Sequence, residues 1–181
     1  MRQFTHDWLP ESLSKRWREF VLPRLKHPLR WLELGSYEGR SACWVIDNVL
    51  EDEDVLVCVD HWVNADAEAR FDQNTAGRTE KVKSRTTQFL ARAIAAGDSF
   101  DVVYIDADHE AKNVFKDAAM TWPLLPVGGI GIFDDYRWQM PAEKSHLLPP
   151  KPAIDAFLEV YAGYIDVLHK DYQVIFRKAG R

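Results

Sequence analysis

Hydrophobic runs alternate with longer amphipathic segments between Leu29 and Asp135, a strand–helix rhythm that builds a parallel sheet. Leu29 to Leu34 reads as a short strand stopped at Gly35, and Ser41 to Leu50 carries Ala42, Val45, Ile46, Val49 and Leu50 at helical spacing. Val55 to Val59 is a nearly unbroken apolar run ending at Asp60, the form of a strand covered on both faces. Ala65 to Phe71 suits a helix, Lys81 to Ser84 a strand, and Thr87 to Ala96 a helix stopped by Gly97. Phe100 to Ile105 is a strongly apolar strand, followed by a helix from about Lys112 to Leu124. Pro126-Val127-Gly128-Gly129 then turns the chain into a strand over Ile130 to Phe133.

After Tyr136 the pattern changes. Residues 137–152 hold Pro141, Pro149, Pro150 and Pro152 without a clear period, predicting a surface loop placed as a substrate lid. A helix resumes over Pro152 to Tyr161 with proline near its first turn. Tyr164 to Leu168 and Tyr172 to Phe176 flank His169-Lys170-Asp171, predicting a closing antiparallel hairpin. Trp8 to Leu25, within an N-terminal segment of residues 1–28, reads as one or two packing helices.

The length of 181 residues suits one domain, residues 1–181, with a real core. Apolar residues at 46% argue against general disorder. With 28 acidic against 23 basic residues the net charge is -5, which lacks the cationic field a phosphate backbone requires and excludes nucleic acid as the expected partner. Cys43 and Cys58 stand apart in apolar surroundings and read as buried free thiols, not a zinc or redox pair. Met1 to Pro10 has neither an apolar h-region nor a cleavage site, and no stretch approaches bilayer length. A cytoplasmic protein without membrane contact is expected. Its oligomeric state, homo-oligomer included, is open.

In an open parallel sheet, ligands collect at the carboxyl ends of the strands, so polar residues there are the first suspects. Glu33, Gly35 and Gly39 lie at the end of the first strand, where glycine permits a tight turn and close approach of a ligand. Asp60 ends the second strand, and its carboxylate can accept hydrogen bonds from both hydroxyls of a ribose. The dinucleotide fingerprint is absent, since positions 35–40 read Gly-Ser-Tyr-Glu-Gly-Arg, which counts against a nicotinamide or flavin enzyme. The two glycines alone are equally compatible with a mere strand-to-helix turn; Asp60 in register favours a ligand. Tyr104-Ile105-Asp106-Ala107-Asp108-His109 and Ile132-Phe133-Asp134-Asp135-Tyr136 place further acids directly after strands. Carboxylates converging in one cleft repel one another unless protons or a cation neutralise them, and oxygen ligation suits Mg2+, Mn2+ or Ca2+.

Leu32-Glu33-Leu34-Gly35-Ser36-Tyr37-Glu38-Gly39-Arg40-Ser41-Ala42 resembles the first motif of the class I S-adenosylmethionine-dependent methyltransferases, in particular the cation-dependent O-methyltransferases related to the catechol and caffeoyl-coenzyme A enzymes. The resemblance implies an α/β fold, a Rossmann-like doubly wound, mostly parallel seven-stranded sheet with the antiparallel hairpin at its C-terminus. It further implies that Glu33, Gly35, Tyr37 and Ser41 surround the methionine end of S-adenosyl-L-methionine, with Gly39 also among the cofactor-binding residues, that Asp60 holds its ribose, and that His61 and Trp62 lie near the adenine. Thr86 matches a place where such enzymes contact the adenine edge. Asp106, Asp134 and Asp135 resemble the divalent-ion ligands, Mg2+ first among the candidates, with Asp106 also bordering the cofactor. Asp135 departs from the catechol-type asparagine, and Asp134-Asp135-Tyr136 is similar to a branch acting on sugars and antibiotic scaffolds. His109 stands where catechol-type enzymes carry a catalytic lysine. An ordinary imidazole pKa of about 6.5 suits a general base, and Asp108 competes for that role.

The expected activity is therefore metal-assisted O-methylation of a small hydroxylated molecule. A metal-independent nitrogen or protein methyltransferase is the second reading, and a noncatalytic cofactor-binding module the third.

Overall fold

The computed structural model describes residues 2–180; Met1 and Arg181, the ends of the expected domain, lie outside them. The first helix, α1 (Glu11–Arg16), continues into a π-helical turn at Trp17–Val21 and a 3-10 turn at Leu22–Arg24. Then follow β1 (Arg30–Leu34), α2 (Arg40–Asn48), β2 (Val55–Asp60), α3 (Ala65–Thr75), β3 (Glu80–Lys83) and α4 (Thr86–Ala96). The second half runs β4 (Val102–Ile105), α5 (Ala111–Thr121), β5 (Ile130–Phe133), α6 (Pro150–Val160), β6 (Ile165–Lys170) and β7 (Val174–Lys178). The strands form one seven-stranded sheet in the order β3-β2-β1-β4-β5-β7-β6. The first five positions are parallel, and β7 joins β5 and β6 antiparallel. This is the Rossmann-like sheet with a closing hairpin that the sequence predicts.

Side chains alternate between two cores because successive residues of a strand point to opposite faces. On β1, Leu32 and Leu34 join Leu90 of α4, Val114 of α5 and Phe157 of α6 on one side. Trp31 faces the other side, with Trp17, Ala42 and Val45 of α2 and Phe71 of α3. Tyr104 of β4 points the same way as Trp31 and meets Trp17 edge-on at 4.9 Å between ring centroids. Trp44 meets Trp17 in the same manner at 5.2 Å, so α1 and its continuation close the second face with aromatic contacts. Cys43 and Cys58 are both buried and free.

Boundaries differ from expectation in several places, among them α3, which runs on to Thr75. Residues 2–9 are not helical; the Gln3 amide bonds to α3 and the Asp7 carboxylate to α2 instead of to a helix of their own. At the other end α6 begins at Pro150, two residues earlier than predicted, because prolines in a first turn forfeit only amide protons that a helix leaves unpaired there anyway. Residues 137–152 otherwise form the irregular connection the prolines predicted, interrupted by a 3-10 turn at Ala142–Lys144.

Gly131 shows how tightly the hairpin seats against β5. A Cβ at this position would lie 2.2 Å from the Phe176 ring. Gly131→Ala is therefore expected to destabilise the fold by about 1–3 kcal/mol through overpacking; an unchanged urea midpoint would show that the Phe176 ring moves aside freely.

Candidate active site

The parallel register brings four strand ends together. Leu34 of β1 pairs with Val59 of β2 and Ile105 of β4, and Ile105 pairs with Phe133 of β5. The next residues, Gly35, Asp60, Asp106 and Asp134, consequently emerge along one edge. The order of connections reverses between β1 and β4, the place where open α/β sheets bind ligands. A cleft of about 580 Å3 opens there, lined by Gly35, Tyr37, Ser41, Asp60 and His61 on one side of the constellation and by Asp106, His109, Asp134 and Asp135 on the other.

The loop after β1 is held by Asp60 and Trp62. Tyr37 adopts a left-handed conformation with φ 43°, as does Trp62 with φ 36°, each an arrangement that costs a non-glycine residue about 1–3 kcal/mol. The Tyr37 amide donates to Asp60 Oδ2 at 2.9 Å, the Trp62 amide to Asp60 Oδ1 at 2.7 Å, and the Trp62 indole N–H to the Tyr37 carbonyl at 2.7 Å. Asp60 Oδ2 thus keeps a lone pair for a further donor, while Oδ1 also lies 3.3 Å from His61 Nδ1. Trp62 is buried and spends its N–H on the loop, and it is not among the residues that line the cleft.

Gly35, with φ +89°, could not be replaced without damage, since a Cβ would lie 2.2 Å from the Asp106 carbonyl oxygen. Gly39, φ +78°, forms the left-handed entry to α2 beneath Phe71 and Thr75 and is not itself exposed to the cleft. Glu33 sits below this loop, fully buried, with neither carboxylate oxygen hydrogen-bonded. Desolvation raises its pKa from the ordinary 4.5 to about 7, tempered by the nearby hydroxyl dipoles of Ser36 and Ser41, which approach it without a formed hydrogen bond.

At the acidic end, oxygens of Asp106 and Asp135 and a ring nitrogen of His109 lie within 4.8 Å of one another. His109 Nε2 is 2.8 Å from Asp135 Oδ2, and that hydrogen bond raises the imidazole pKa. Asp135 is left-handed at φ 60° and accepts the Tyr172 hydroxyl at 3.0 Å. Burial, and then the neighbouring carboxylates Asp134 and Asp135, push Asp106 well above the usual carboxylate range. Such a dry, acidic group holds either protons or a cation.

Asp134 does not join the Asp106–His109–Asp135 group. One of its oxygens accepts the Asp135 amide at 2.7 Å; the other accepts the Tyr104 hydroxyl and, at 3.0 Å, the Gln173 amide. Burial followed by repulsion from Asp135 raises its pKa to about 6. Tyr104 also reaches Asp106 Oδ2 at 3.1 Å, and Gln173 accepts the Trp17 indole N–H at 2.9 Å. A buried chain therefore runs from the N-terminal helix through the hairpin to the cleft. Asp108 faces away from it, accepting the Glu110 amide at 2.7 Å and the Asn113 side chain at 2.9 Å at the start of α5. Thr86 donates to the buried Asp117 at 2.8 Å and is not among the cleft residues.

Sequence reasoning passed over Tyr104, Tyr172, Gln173, His6 and Trp8, all but Gln173 lining the cleft. Only Tyr104 carried a local signal, an aromatic two residues before a strand-end Asp. The others arrive from the chain termini, and no spacing predicts that.

A family model described as a methyltransferase domain matches residues 32–136. The chain belongs to that family, the class I S-adenosylmethionine-dependent methyltransferases. The O-methyltransferase of Bacillus cereus, solved with SAH, is similar at a TM-score of 0.70 and 17% identity, covering 95% of this chain and 83% of that one. TomG, an O-methyltransferase of Streptomyces achromogenes solved with SAM, gives 0.68 and 19%, covering 95% and 82%. MycE of mycinamycin biosynthesis, solved with Mg and SAH, gives 0.68 and 14%, covering 93% and 50%. In sequence, Uncharacterized protein R132 of Acanthamoeba polyphaga mimivirus is 26% identical over 131 residues, which is 65% of this chain. The match spans 58% of that relative's own length. No helix among the described residues is long and apolar enough to cross a membrane.

Two outcomes follow. Gly35→Ala should lower stability by at least about 1–3 kcal/mol, from backbone strain and overpacking, and weaken cofactor affinity with it; normal calorimetric binding of S-adenosylmethionine to a fully stable variant would contradict the close approach. Glu33 holds its proton more tightly when folded, so its contribution is complete below about pH 4.5 and is lost as pH rises toward 7. Glu33→Gln should accordingly gain on the wild type across that interval, by on the order of 3 kcal/mol, and urea titrations that stay parallel from acid to neutral pH would refute it.

Proposed function

We propose that the protein transfers the methyl group of S-adenosylmethionine to a hydroxyl of a small molecule with the help of a divalent cation, Mg2+ first among candidates. The observation that carries this reading is the convergence of Asp106, His109 and Asp135 within 4.8 Å at the strand ends beside the Gly35–Gly39 loop. Hard carboxylate oxygens in a partly dry cleft fit an Mg2+ or Mn2+ ion that keeps several waters. The B. cereus protein and TomG, both O-methyltransferases, and MycE, a methyltransferase solved with Mg, support the same reading.

Asp60 would take the ribose, with Gly35, Tyr37 and Ser41 around the methionine end and His61 at the cleft rim beside Asp60 Oδ1. Asp106 and Asp135 would hold the ion, and Asp134 stands behind them, engaged by Tyr104 and Gln173. When bound, the ion acts as a Lewis acid that lowers the pKa of an acceptor hydroxyl. Of the two candidate bases His109 is the one in the cleft, whereas Asp108 is committed to the start of α5. With Asp135 holding a cation, its hydrogen bond would no longer favour the imidazolium, and the neutral imidazole is the form that accepts a proton. His109 Nε2 then receives the acceptor's proton as the oxygen–methyl bond forms and the carbon–sulfur bond breaks. Trp138, packed 4.6 Å from the His109 ring, places the start of the 137–152 loop beside the acceptor.

Chelator should abolish turnover and Mg2+ restore it; activity indifferent to chelator would favour metal-independent transfer. Mn2+ titrated into the protein and followed by electron paramagnetic resonance separates the acidic residues. Asp106→Asn and Asp135→Asn should each weaken binding by about tenfold or more, as loss of a charged ligand does, and Asp134→Asn by distinctly less. An equal loss in all three would make Asp134 a direct ligand.

A further inference from the structure

The first-motif residues Glu38 and Arg40 have no part in the chemistry above, yet both are engaged with residues far back in the chain. Glu38 is buried at 2% exposure. Its carboxylate accepts the Thr5 amide at 2.7 Å and the Thr5 hydroxyl at 3.1 Å, with Arg70 at 3.0 Å neutralising it. Arg40 donates to Asp7 at 2.7 Å and to the Leu9 carbonyl at 3.1 Å. Asn74 of α3 completes the attachment: its side chain bridges the Gln3 and Glu38 carbonyls at 2.8 and 2.9 Å and accepts the Gln3 amide at 2.8 Å. Residues 3–9 are thereby sewn onto the loop that precedes α2, and Leu9 is buried in the core beyond them.

What this segment presents to the cleft is aromatic. His6, Trp8 and Leu9 line the same cavity as Gly35, Tyr37 and Asp60. Trp8 remains 61% exposed, its ring centroid 4.9 Å from that of His6. An aromatic ring lining a ligand cavity is placed to pack on what binds there, whereas a buried carboxylate needs its full set of donors. The two observations are complementary: Glu38 commits a buried charge to fixing a segment whose His6 and Trp8 rings line the cleft.

We infer that residues 3–9 form a wall of the cofactor cleft, that His6 and Trp8 contact the bound cofactor, and that Glu38 is the positioning residue that holds this wall against the first-motif loop. Cofactor exchange then requires the Thr5–Glu38 attachment to open, as with other binding-site coverings. This rests on the cofactor reading given above.

The test is dissociation of radiolabelled S-adenosylmethionine, chased with excess S-adenosylhomocysteine and followed by rapid filtration, so that no acceptor or turnover is involved. Trp8→Ala removes only an exposed ring and should speed dissociation by about fivefold or more at unchanged Tm; Glu38→Ala should speed it at least as much, and Glu38→Gln, which keeps an acceptor for the Thr5 amide, by less. Hydrogen exchange at the Thr5 amide should slow when cofactor binds the wild type and should not in Glu38→Ala. Dissociation within about twofold of wild type for both alanine variants would overturn the inference while leaving the cofactor reading intact. A wild-type protein that retains no labelled cofactor would overturn both.

Discussion

The backbone of Gly35 presses against the carbonyl of Asp106 so closely that no side chain fits between them, and the site depends on that contact. It joins the loop after β1, where the cofactor reading lies, to the end of β4, where the acids begin. Because β1 and β4 are hydrogen-bonded neighbours in register, the approach is imposed by the sheet and not by the loops. The left-handed turns at Tyr37, Trp62 and Asp135 are strained additions to this rigid seam, each held by a named hydrogen bond from a neighbouring strand end or from the hairpin.

Charge is the second organising term. Glu33, Asp106 and Asp134 are all carboxyl groups pushed upward by desolvation, on a part of the fold where the paired lysines and arginines are elsewhere. Lys81 and Lys83 serve Glu68 and Asp72 at the β3 edge, and Lys151 and Lys170 serve Asp155. In the cleft Arg40 is paired with Asp7, and among the described residues no lysine or arginine lines the acidic end. A cofactor with a positively charged sulfur and a divalent ion both suit such a field.

Much of this was legible in the sequence because strand ends are. The apolar runs over β1, β2, β4 and β5 end abruptly at Gly35, Asp60, Asp106 and Asp134, and a parallel sheet must gather those ends. What the sequence concealed depends on partners distant along the chain. Thr86 looked like a cofactor contact, but α5 brings Asp117 to its hydroxyl. Asp108 looked like a base, yet an Asx-type bond to the next turn occupies it. Asp134 looked equivalent to Asp135 until Tyr104 and Gln173 distinguished them. Trp62 follows the expected ribose ligand directly, but it folds back under the loop and leaves the rim to His61.

The bond between the Trp17 indole and Gln173 spans 156 residues. Asp134 receives its third donor through Gln173, so the acidic end of the cleft is complete only when the turn before β7 meets the helical segment at Trp17–Val21. Closing so long a loop costs entropy before any packing repays it, and topologies dominated by such distant pairings reach their final state slowly. The central parallel strands can pair without that closure, which leaves the acidic end of the cleft waiting on the most distant of these pairings.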